Sequence, residues 1–134
     1  MHRLDGGFGD ALMRAATGNL QGTTLRWKPE PSVCVVLAAH GYPGQVRTGD
    51  RITGLEAVGG EGNVQVFHAG TKLGPQGLET AGGRVLGVTA SGPDLASAVH
   101  NTYTAVEKIH FDGMHYRRDI AYKGLKRWPQ AARQ

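Results

Sequence analysis

The alternation of apolar and polar positions along the chain predicts a series of short strands. The longest apolar run extends from Val33 to Ala39. Its β-branched residues and its length predict a strand over 32–39 that is buried on both faces. Further strand patterns, each bounded by glycine, asparagine or proline, lie at 51–53, 64–68, 78–80 and 84–90. Short strands separated by turn residues are typical of an antiparallel meander.

One long amphipathic helix follows these strands. Pro93 and Asp94 supply a start signal, and the apolar stripe predicts a helix that continues to about Ile109 and covers one face of the sheet. The stripe consists of residues three and four positions apart, namely Leu95, Ala98, Val99, Thr102, Tyr103, Val106 and Ile109. A much shorter helix is predicted over 11–17, with Asp10 as its N-terminal cap and Gly18 at its end.

The order of elements predicts an α+β domain in the middle of the chain. A β-prone stretch at 23–27 stops at Pro29 and Pro31, which lack the N–H groups that a sheet ladder needs. A weakly alternating segment at 115–122 predicts a final strand. We therefore expect a leader over 1–28, a domain over 31–122 and a frayed tail over 123–134.

Composition and charge narrow the functional classes. The net charge is +4 and the sequence pI is about 9.5, but the basic residues are scattered, which argues against nucleic acid as a partner. Cys34 is the single cysteine, so neither a disulfide framework nor a cysteine zinc site is expected, and a reducing cytoplasm fits. The apolar runs are shorter than the roughly 20 residues of a membrane-spanning helix, so no membrane partner is expected.

Two cations bordered by glycine are the strongest candidates for a binding site. Lys72 lies in FHAGTKL and Arg84 in GGRVLGVTA. Glycine allows close approach of the backbone to a ligand, and a neighbouring lysine or arginine supplies charge-assisted hydrogen bonds to anionic oxygens. The pattern therefore suits a phosphate, although a plain hairpin with Gly82 and Gly83 at its turn has the same sequence signature.

Other chemical signals are weaker. His110, Asp112 and His115 are close together in HFDGMH, but an Asp-Gly turn separates them and their spacing matches no helical zinc pair, so we expect no metal site. Arg117 and Asp119 fit an exposed ion pair better than an anion clamp. The sequence contains neither a recognisable hydrolase triad nor a nucleotide-binding P-loop, and it predicts no catalytic residues.

Five segments resemble the C-terminal domain of phosphoribosylamine-glycine ligases. They follow one another in the family's order and spacing between about Trp27 and Leu125. The segments are VCVVLAAHGYPG (33–44), GYPGQVRTGDRITGL (41–55), FHAGTKL (67–73), GGRVLGVTASG (82–92) and IHFDGMHYRRDIAYKGL (109–125).

The resemblance implies a β-rich domain of the hybrid-motif, barrel-sandwich-like type that closes against an ATP-grasp domain. The family joins glycine to 5-phosphoribosylamine in purine biosynthesis and uses ATP and magnesium. Related enzymes use a lysine and an arginine of this domain around the ribose phosphate, at positions similar to Lys72 and Arg84. The resemblance also implies that the backbone of 68–71 and of 82–83 lines this site, which assigns His68, Gly70, Thr71, Gly82 and Gly83 to it.

The leader departs from the family pattern. The family's ATP-grasp domain carries R-F-G-D-P-E, whereas here only Phe8, Gly9 and Asp10 match and no magnesium ligands precede them. We therefore expect no cofactor site in this chain and no ligase activity from the chain alone. The alternatives are a stand-alone module that binds a phosphorylated metabolite or a protein, and a structural domain that self-associates through an exposed apolar face. A biotin or lipoyl carrier is disfavoured, since the methionines that flank a biotin acceptor are missing around Lys72.

Overall fold

The computed structural model describes residues 1–58, 60 and 62–127 and shows an α+β fold. Its helices are α1 (Phe8–Ala16), α2 (Leu95–Val106) and α3 (Tyr122–Arg127), with a single 3-10 turn at Leu55–Ala57. Its strands are β1 (Ser32–Ala38), β2 (Val64–His68), β3 (Thr71–Gly74), β4 (Gly77–Thr80) and β5 (Arg84–Ser91). None of the helices in the described residues has the length and apolarity to span a membrane.

The strands form two small antiparallel sheets. One sheet has the order β1-β5-β2, and the other is the β3-β4 hairpin. Helix α2 packs against one face of the larger sheet, where Val35, Leu37 and Val88 are completely buried. The hydroxyl of Thr102 in α2 donates a hydrogen bond to the carbonyl of Val33 in β1, at 3.2 Å. The predicted class, short antiparallel strands with one long covering helix, is therefore confirmed.

Several predicted strands and helices are confirmed with shifted ends. β1, β2, β4 and β5 occupy the predicted positions, and α2 begins after Asp94, whose carboxylate accepts a hydrogen bond from the N–H of Ser97 at 2.7 Å. The helix ends at Val106 rather than at Ile109, which is fully buried below it. A chain that leaves the helix earlier can bury Ile109 in the core directly.

The prediction that β1 is buried on both faces was wrong. Val33, Val35 and Leu37 point into the core, whereas Cys34 and Val36 between them are exposed. The reason is that α2 covers only one face of this sheet, and no other helix or strand packs extensively on the opposite face within the described residues. An apolar run therefore does not by itself show that both faces of a strand are covered.

Asp10 does not cap α1. The helix begins at Phe8, and Gly7 occupies the cap position with a left-handed φ of 77°, a conformation that glycine adopts readily. Asp10 lies in the first turn and forms an ion pair with Arg14 at 2.9 Å, a spacing of four residues. None of the nine residues of α1 is buried.

Three weaker strand predictions reduce to isolated bridges. Within the described residues, Trp27 pairs with Leu4. In the segment at 51–53, Arg51 pairs with Glu79 and Thr53 pairs with His110. The predicted final strand at 115–122 was also wrong, since His115 alone pairs, with Ala38. The chain then enters α3, so the tail predicted over 123–134 begins inside a helix, and its residues 128–134 lie outside the described residues.

Candidate functional site

The two glycine-bordered segments lie against each other. The N–H of Gly70 donates to the carbonyl of Arg84 at 2.8 Å, and the N–H of Ala81 donates to the carbonyl of Gly70 at 2.7 Å. A β-carbon at position 70 would come within 2.9 Å of backbone atoms of Gly82 and Arg84. The absence of a side chain at Gly70 therefore allows the segments 68–72 and 82–84, which we call the cradle, to touch.

Lys72 lies on β3 directly opposite Glu79 of β4. Its ammonium is 3.9 Å from a carboxylate oxygen of Glu79, whose side chain is only 14% exposed, whereas the Lys72 side chain is 57% exposed. The carboxylate packs on Gly74, where any β-carbon would collide with it. The sequence predicted no strand at 71–74, so this partner of Lys72 was missed; the cross-strand register reveals it.

Arg84 is the first residue of β5 and is exposed. Within the described part of the chain, its guanidinium has no ion-pair or hydrogen-bond partner. It borders an open groove together with Tyr42 and Gly83. The ring of Tyr42 packs on Gly83 so closely that a β-carbon there would overlap it. Sequence reasoning assigned Tyr42 only to a Gly-Pro turn and missed its contact with the cradle.

The backbone donors of the cradle are unequally available. The N–H groups of Gly70 and Thr71 are bonded to the carbonyls of Arg84 and Ala69. By contrast, the N–H groups of Gly82 and Gly83 have no acceptor among the described residues. These two N–H groups and the two cations are thus the donors that an anion would find free or weakly paired.

His68 and Thr71 form a contact of their own. The Nδ1 atom of His68 lies 3.2 Å from the hydroxyl oxygen of Thr71, and His68 itself is exposed at the end of β2. This hydrogen bond links β2 to β3 across the turn at 69–70. It holds the loop that precedes Lys72 in shape and leaves Nε2 of the imidazole to face solvent or a ligand.

Arg47 anchors the loop that carries Tyr42. Its guanidinium forms hydrogen bonds with the carboxylates of Asp50, at 3.1 Å, and Asp112, at 2.5 Å. These bonds, first to Asp50 and then to Asp112, raise the pKa of the Arg47 guanidinium above its ordinary value. Asp112 therefore acts as an ion-pair partner that joins two loops, a different role from the metal ligand considered for it.

The remaining sequence candidates lie apart from a common site. Within residues 1–58, 60 and 62–127, no three histidine, cysteine, aspartate or glutamate side chains come together in a way that would hold a metal ion. Arg117 donates two hydrogen bonds to Asp119, at 2.9 and 2.6 Å, which confirms the exposed ion pair. These bonds from Arg117 hold the pKa of Asp119 below its ordinary value.

The fold and the cradle together define a small α+β domain with a candidate anion site at the edge of a one-sided sheet. A family model described as phosphoribosylglycinamide synthetase, C domain, matches residues 32–123. A phosphoribosylamine-glycine ligase from Synechocystis is 51% identical over 115 residues, which cover 85% of this chain and 27% of the relative. One from Streptomyces coelicolor is 48% identical over 124 residues, 90% of this chain and 30% of the relative. The chain belongs to the phosphoribosylglycinamide synthetase C-domain family.

A solved structure agrees with this assignment. The crystal structure of a phosphoribosylamine-glycine ligase from Thermotoga maritima matches with a TM-score of 0.71 and 34% identity. The match covers 84% of this chain and 27% of the Thermotoga chain. The chain therefore corresponds in length to little more than a quarter of these relatives, and the similarity is confined to that part of them.

Proposed function

We propose that this chain is the C-terminal domain of a phosphoribosylamine-glycine ligase, which joins glycine to 5-phosphoribosylamine with ATP hydrolysis in purine biosynthesis in the cytoplasm. In this role it supplies one wall of the pocket for the phosphoribosyl substrate, and an ATP-grasp body supplies the rest. The observation that supports the proposal is the backbone contact of Gly70 with Gly82 and Arg84, because it holds the segments that carry Lys72 and Arg84 next to each other.

The cradle's chemistry suits a phosphate monoester. Arg84 has no competing carboxylate within the described residues, and its planar guanidinium offers paired N–H groups to two phosphate oxygens. The unbonded N–H groups of Gly82 and Gly83 lie beside it in sequence. Lys72 adds a second charge, reduced by Glu79 at 3.9 Å. In this proposal Gly70, Thr71 and His68 form the scaffold, since their hydrogen bonds hold the loop in shape.

The nucleotide chemistry belongs to the body in this proposal. ATP would activate the glycine carboxylate there, with magnesium held by the body's carboxylates. The described residues of this chain do not fit a magnesium site, because they bring no suitable group of three donors together and Asp10 is paired with Arg14. We accordingly propose that 1–28 is a remnant of the end of the ATP-grasp domain, that 31–122 is the C-terminal ligase domain, and that the isolated chain is inactive.

A titration with ribose 5-phosphate tests the cradle. We expect the backbone amide signals of 70–72 and 82–84 to shift in a saturable way, and unphosphorylated ribose to leave them in place. Arg84→Met should weaken binding by roughly tenfold to a hundredfold, since a charge-assisted hydrogen bond contributes about 1.5–3 kcal/mol. Arg14→Met is the matched control, because Arg14 is paired with Asp10 inside α1.

The outcomes are separable. The cradle assignment is supported if ribose 5-phosphate causes saturable shifts, and if Arg84→Met weakens binding whereas Arg14→Met leaves it unchanged. If ribose 5-phosphate shifts no amide in 70–72 and 82–84, or if both arginine variants bind it as the parent does, the cradle assignment fails.

A further inference from the structure

The turn between β4 and β5 carries the cradle's free backbone donors. It contains Gly82 and Gly83, whose N–H groups have no acceptor among the described residues, and it leads directly into Arg84. These groups can bind one anion together only while the turn keeps its shape. The turn lies outside the register of both sheets, so its shape depends on contacts with other parts of the chain.

The segment 39–50, which we call the clasp, holds both ends of this turn. At the start of the turn, the N–H of Thr80 donates to the carbonyl of Asp50 at 2.9 Å. At its end, the carbonyl of Gly83 accepts the N–H of Ala39 at 2.9 Å. Because the two ends of the turn bond to the two ends of one segment, a change in the shape of the clasp also moves the turn.

The bonds at the start of the turn are shielded from water. Thr80 is completely buried, and its hydroxyl accepts the N–H of Asp50 at 3.0 Å. Its carbonyl accepts the N–H of Gly49 at 2.8 Å. Buried hydrogen bonds are costly to leave unmade, so this end of the clasp is firmly attached to the turn.

Side-chain packing attaches the other end of the clasp. The ring of Tyr42 and the side chain of Val46 lie on Gly83, where an added β-carbon would overlap the ring and come within 3.3 Å of Val46. The carbonyl of Gly83 is bonded to the N–H of Ala39, which is completely buried. The position of Gly83 therefore depends on the position of the loop at 40–47.

Arg47 connects the two ends of the clasp. Its guanidinium donates to a carboxylate oxygen of Asp50 at 3.1 Å, and the Asp50 side chain is only 14% exposed. It also donates to a carboxylate oxygen of Asp112, at 2.5 Å, in the segment that follows α2. Arg47 therefore fixes the loop that packs on Gly83 to the strand end at Thr80 and to a separate turn of the domain.

We propose that Arg47 is a positioning residue for the anion site. Its ion pairs hold the clasp closed, and the closed clasp keeps the free N–H groups of the turn and the guanidinium of Arg84 in place for one phosphate group. Affinity rises when a site is held in its binding geometry beforehand, because less ordering is left to occur on binding. Arg47 itself does not contact the ligand. The inference rests on the proposed function and deepens it, since it names the residue that keeps the phosphate site in shape.

Hydrogen exchange of the free, full chain tests the clasp without a ligand. Arg47→Met should speed the exchange of the amides of Ala39, Asp50 and Thr80 by about fivefold or more, because local opening of the clasp then breaks fewer bonds. The bonded amides of the β1-β5 ladder should exchange at their parent rates. Unchanged rates there show that the variant opens the clasp and leaves the domain folded.

Titration with ribose 5-phosphate, followed by the amide shifts of 82–84, tests the positioning role. Arg47→Met should weaken binding by about fivefold to tenfold, because the turn must then be ordered on binding. This variant also removes a positive charge, and Asp112→Asn separates the two effects. It removes a negative charge, so electrostatics alone predicts tighter binding of a phosphate, whereas a loosened clasp predicts binding that is about twofold to fivefold weaker. Arg47→Lys keeps the charge and should bind more tightly than Arg47→Met.

Arg117→Met is the matched control. Arg117 forms an exposed ion pair with Asp119 at 2.6 Å, and neither residue belongs to the clasp or to the cradle. Loss of this guanidinium changes the net charge as Arg47→Met does. It should change neither the exchange of the clasp amides nor the affinity for ribose 5-phosphate by more than about twofold.

Faster exchange at the clasp, together with weaker binding by both Arg47→Met and Asp112→Asn, supports the inference. It is overturned if Asp112→Asn binds ribose 5-phosphate as tightly as the parent or more tightly, or if Arg47→Met leaves the clasp amides at their parent exchange rates. Failure of the proposed function is recognised separately. A parent that does not bind ribose 5-phosphate refutes the phosphate site, and the positioning role with it, whereas a parent and variants that bind it equally refute the positioning role alone.

Discussion

Gly70, which lies within the cradle, and Gly87, which lies three residues beyond it in β5, differ in what surrounds them. A β-carbon at Gly70 would meet the carbonyl oxygen of Arg84 and the α-carbon of Gly82, each at 2.8 Å, and neither can rotate away. At Gly87 the nearest atom is 3.4 Å away and belongs to a side chain. Glycine is therefore required at position 70 by backbone contact, whereas position 87 has room for a methyl group.

Gly70→Ala should destabilise the fold, and Gly87→Ala should not. Forcing the two segments apart costs about 1–3 kcal/mol, the usual range for overpacking, whereas the alanine at 87 should change the free energy of unfolding by less than about 0.5 kcal/mol. Urea unfolding monitored by far-UV circular dichroism measures both. Equal unfolding midpoints for the two variants would show that the segments are free to separate.

Helix α2 begins through a side-chain cap, in contrast to α1. The carboxylate of Asp94 accepts the N–H of Ser97 at 2.7 Å, whereas Gly7 offers α1 no side chain at all. α2 is also fixed by packing, since Ala98, Thr102, Ala105 and Val106 are buried against the sheet. The cap fixes the residue at which α2 begins, and the buried stripe fixes which side of α2 faces the sheet.

Asp94→Ala should lower the stability of the domain by about 1 kcal/mol, within a range of about 0.5–2 kcal/mol, because a first-turn N–H loses its acceptor. Asp94→Asn is the control, since its amide oxygen caps equally well and should retain most of the stability. Urea midpoints compare the two. If Asn destabilises as much as Ala, then the charge of Asp94, rather than its capping hydrogen bond, is what matters.

The elements that the sequence predicted carry local patterns, whereas those that it missed depend on pairing between separate segments. The run from Val33 and the stripe of α2 carry their own periodicity, so both were predicted with ends correct to a few residues. β3 was missed because Leu73 is 84% exposed and the strand exists only through pairing with β4. The partner of Lys72 follows from that register. Likewise, the exposure of Val36 depends on which face α2 covers, which no local pattern encodes.

The surroundings of the candidate site were predicted only in part for the same reason. Lys72 and Arg84 were visible because glycine borders each of them, and the structure brings their segments together at Gly70. Tyr42 was missed, although it packs on Gly83, because the forty residues between them in sequence obscure the contact. Residue types and their neighbours therefore predict a candidate anion site, while the tertiary contacts around its residues, such as that of Tyr42 with Gly83, come from distant segments.

At the scale of the whole molecule, the hydrophobic core is built without residues 1–28. The buried apolar residues lie between Val33 and Phe111, and none comes from 1–28. The described contacts of the leader are largely internal, such as the pairing of Leu4 with Trp27 and the bonds from Arg3 to the carbonyl of Lys28. Leu12 and Met13 of α1 are 55% and 66% exposed, so the helix presents apolar side chains that the domain does not cover.

Removal of residues 1–28 should therefore leave the unfolding temperature of the domain within a few degrees of the parent. A loss of 1 kcal/mol lowers the unfolding temperature of a domain of 60–100 residues by about 4–8 °C, so a leader that contributes little to the core should shift it by less than that. Leu37→Ala in the full chain is the reference variant for the loss of unfolding temperature that a damaged core causes. Leu37 is completely buried, and its truncation should cost about 2–5 kcal/mol and lower the transition by roughly 10 °C or more. Differential scanning calorimetry compares the three proteins. A shortened chain that unfolds as early as Leu37→Ala would mean that the leader belongs to the same cooperative unit as the sheet, because only a segment coupled to the core can lower the transition that far.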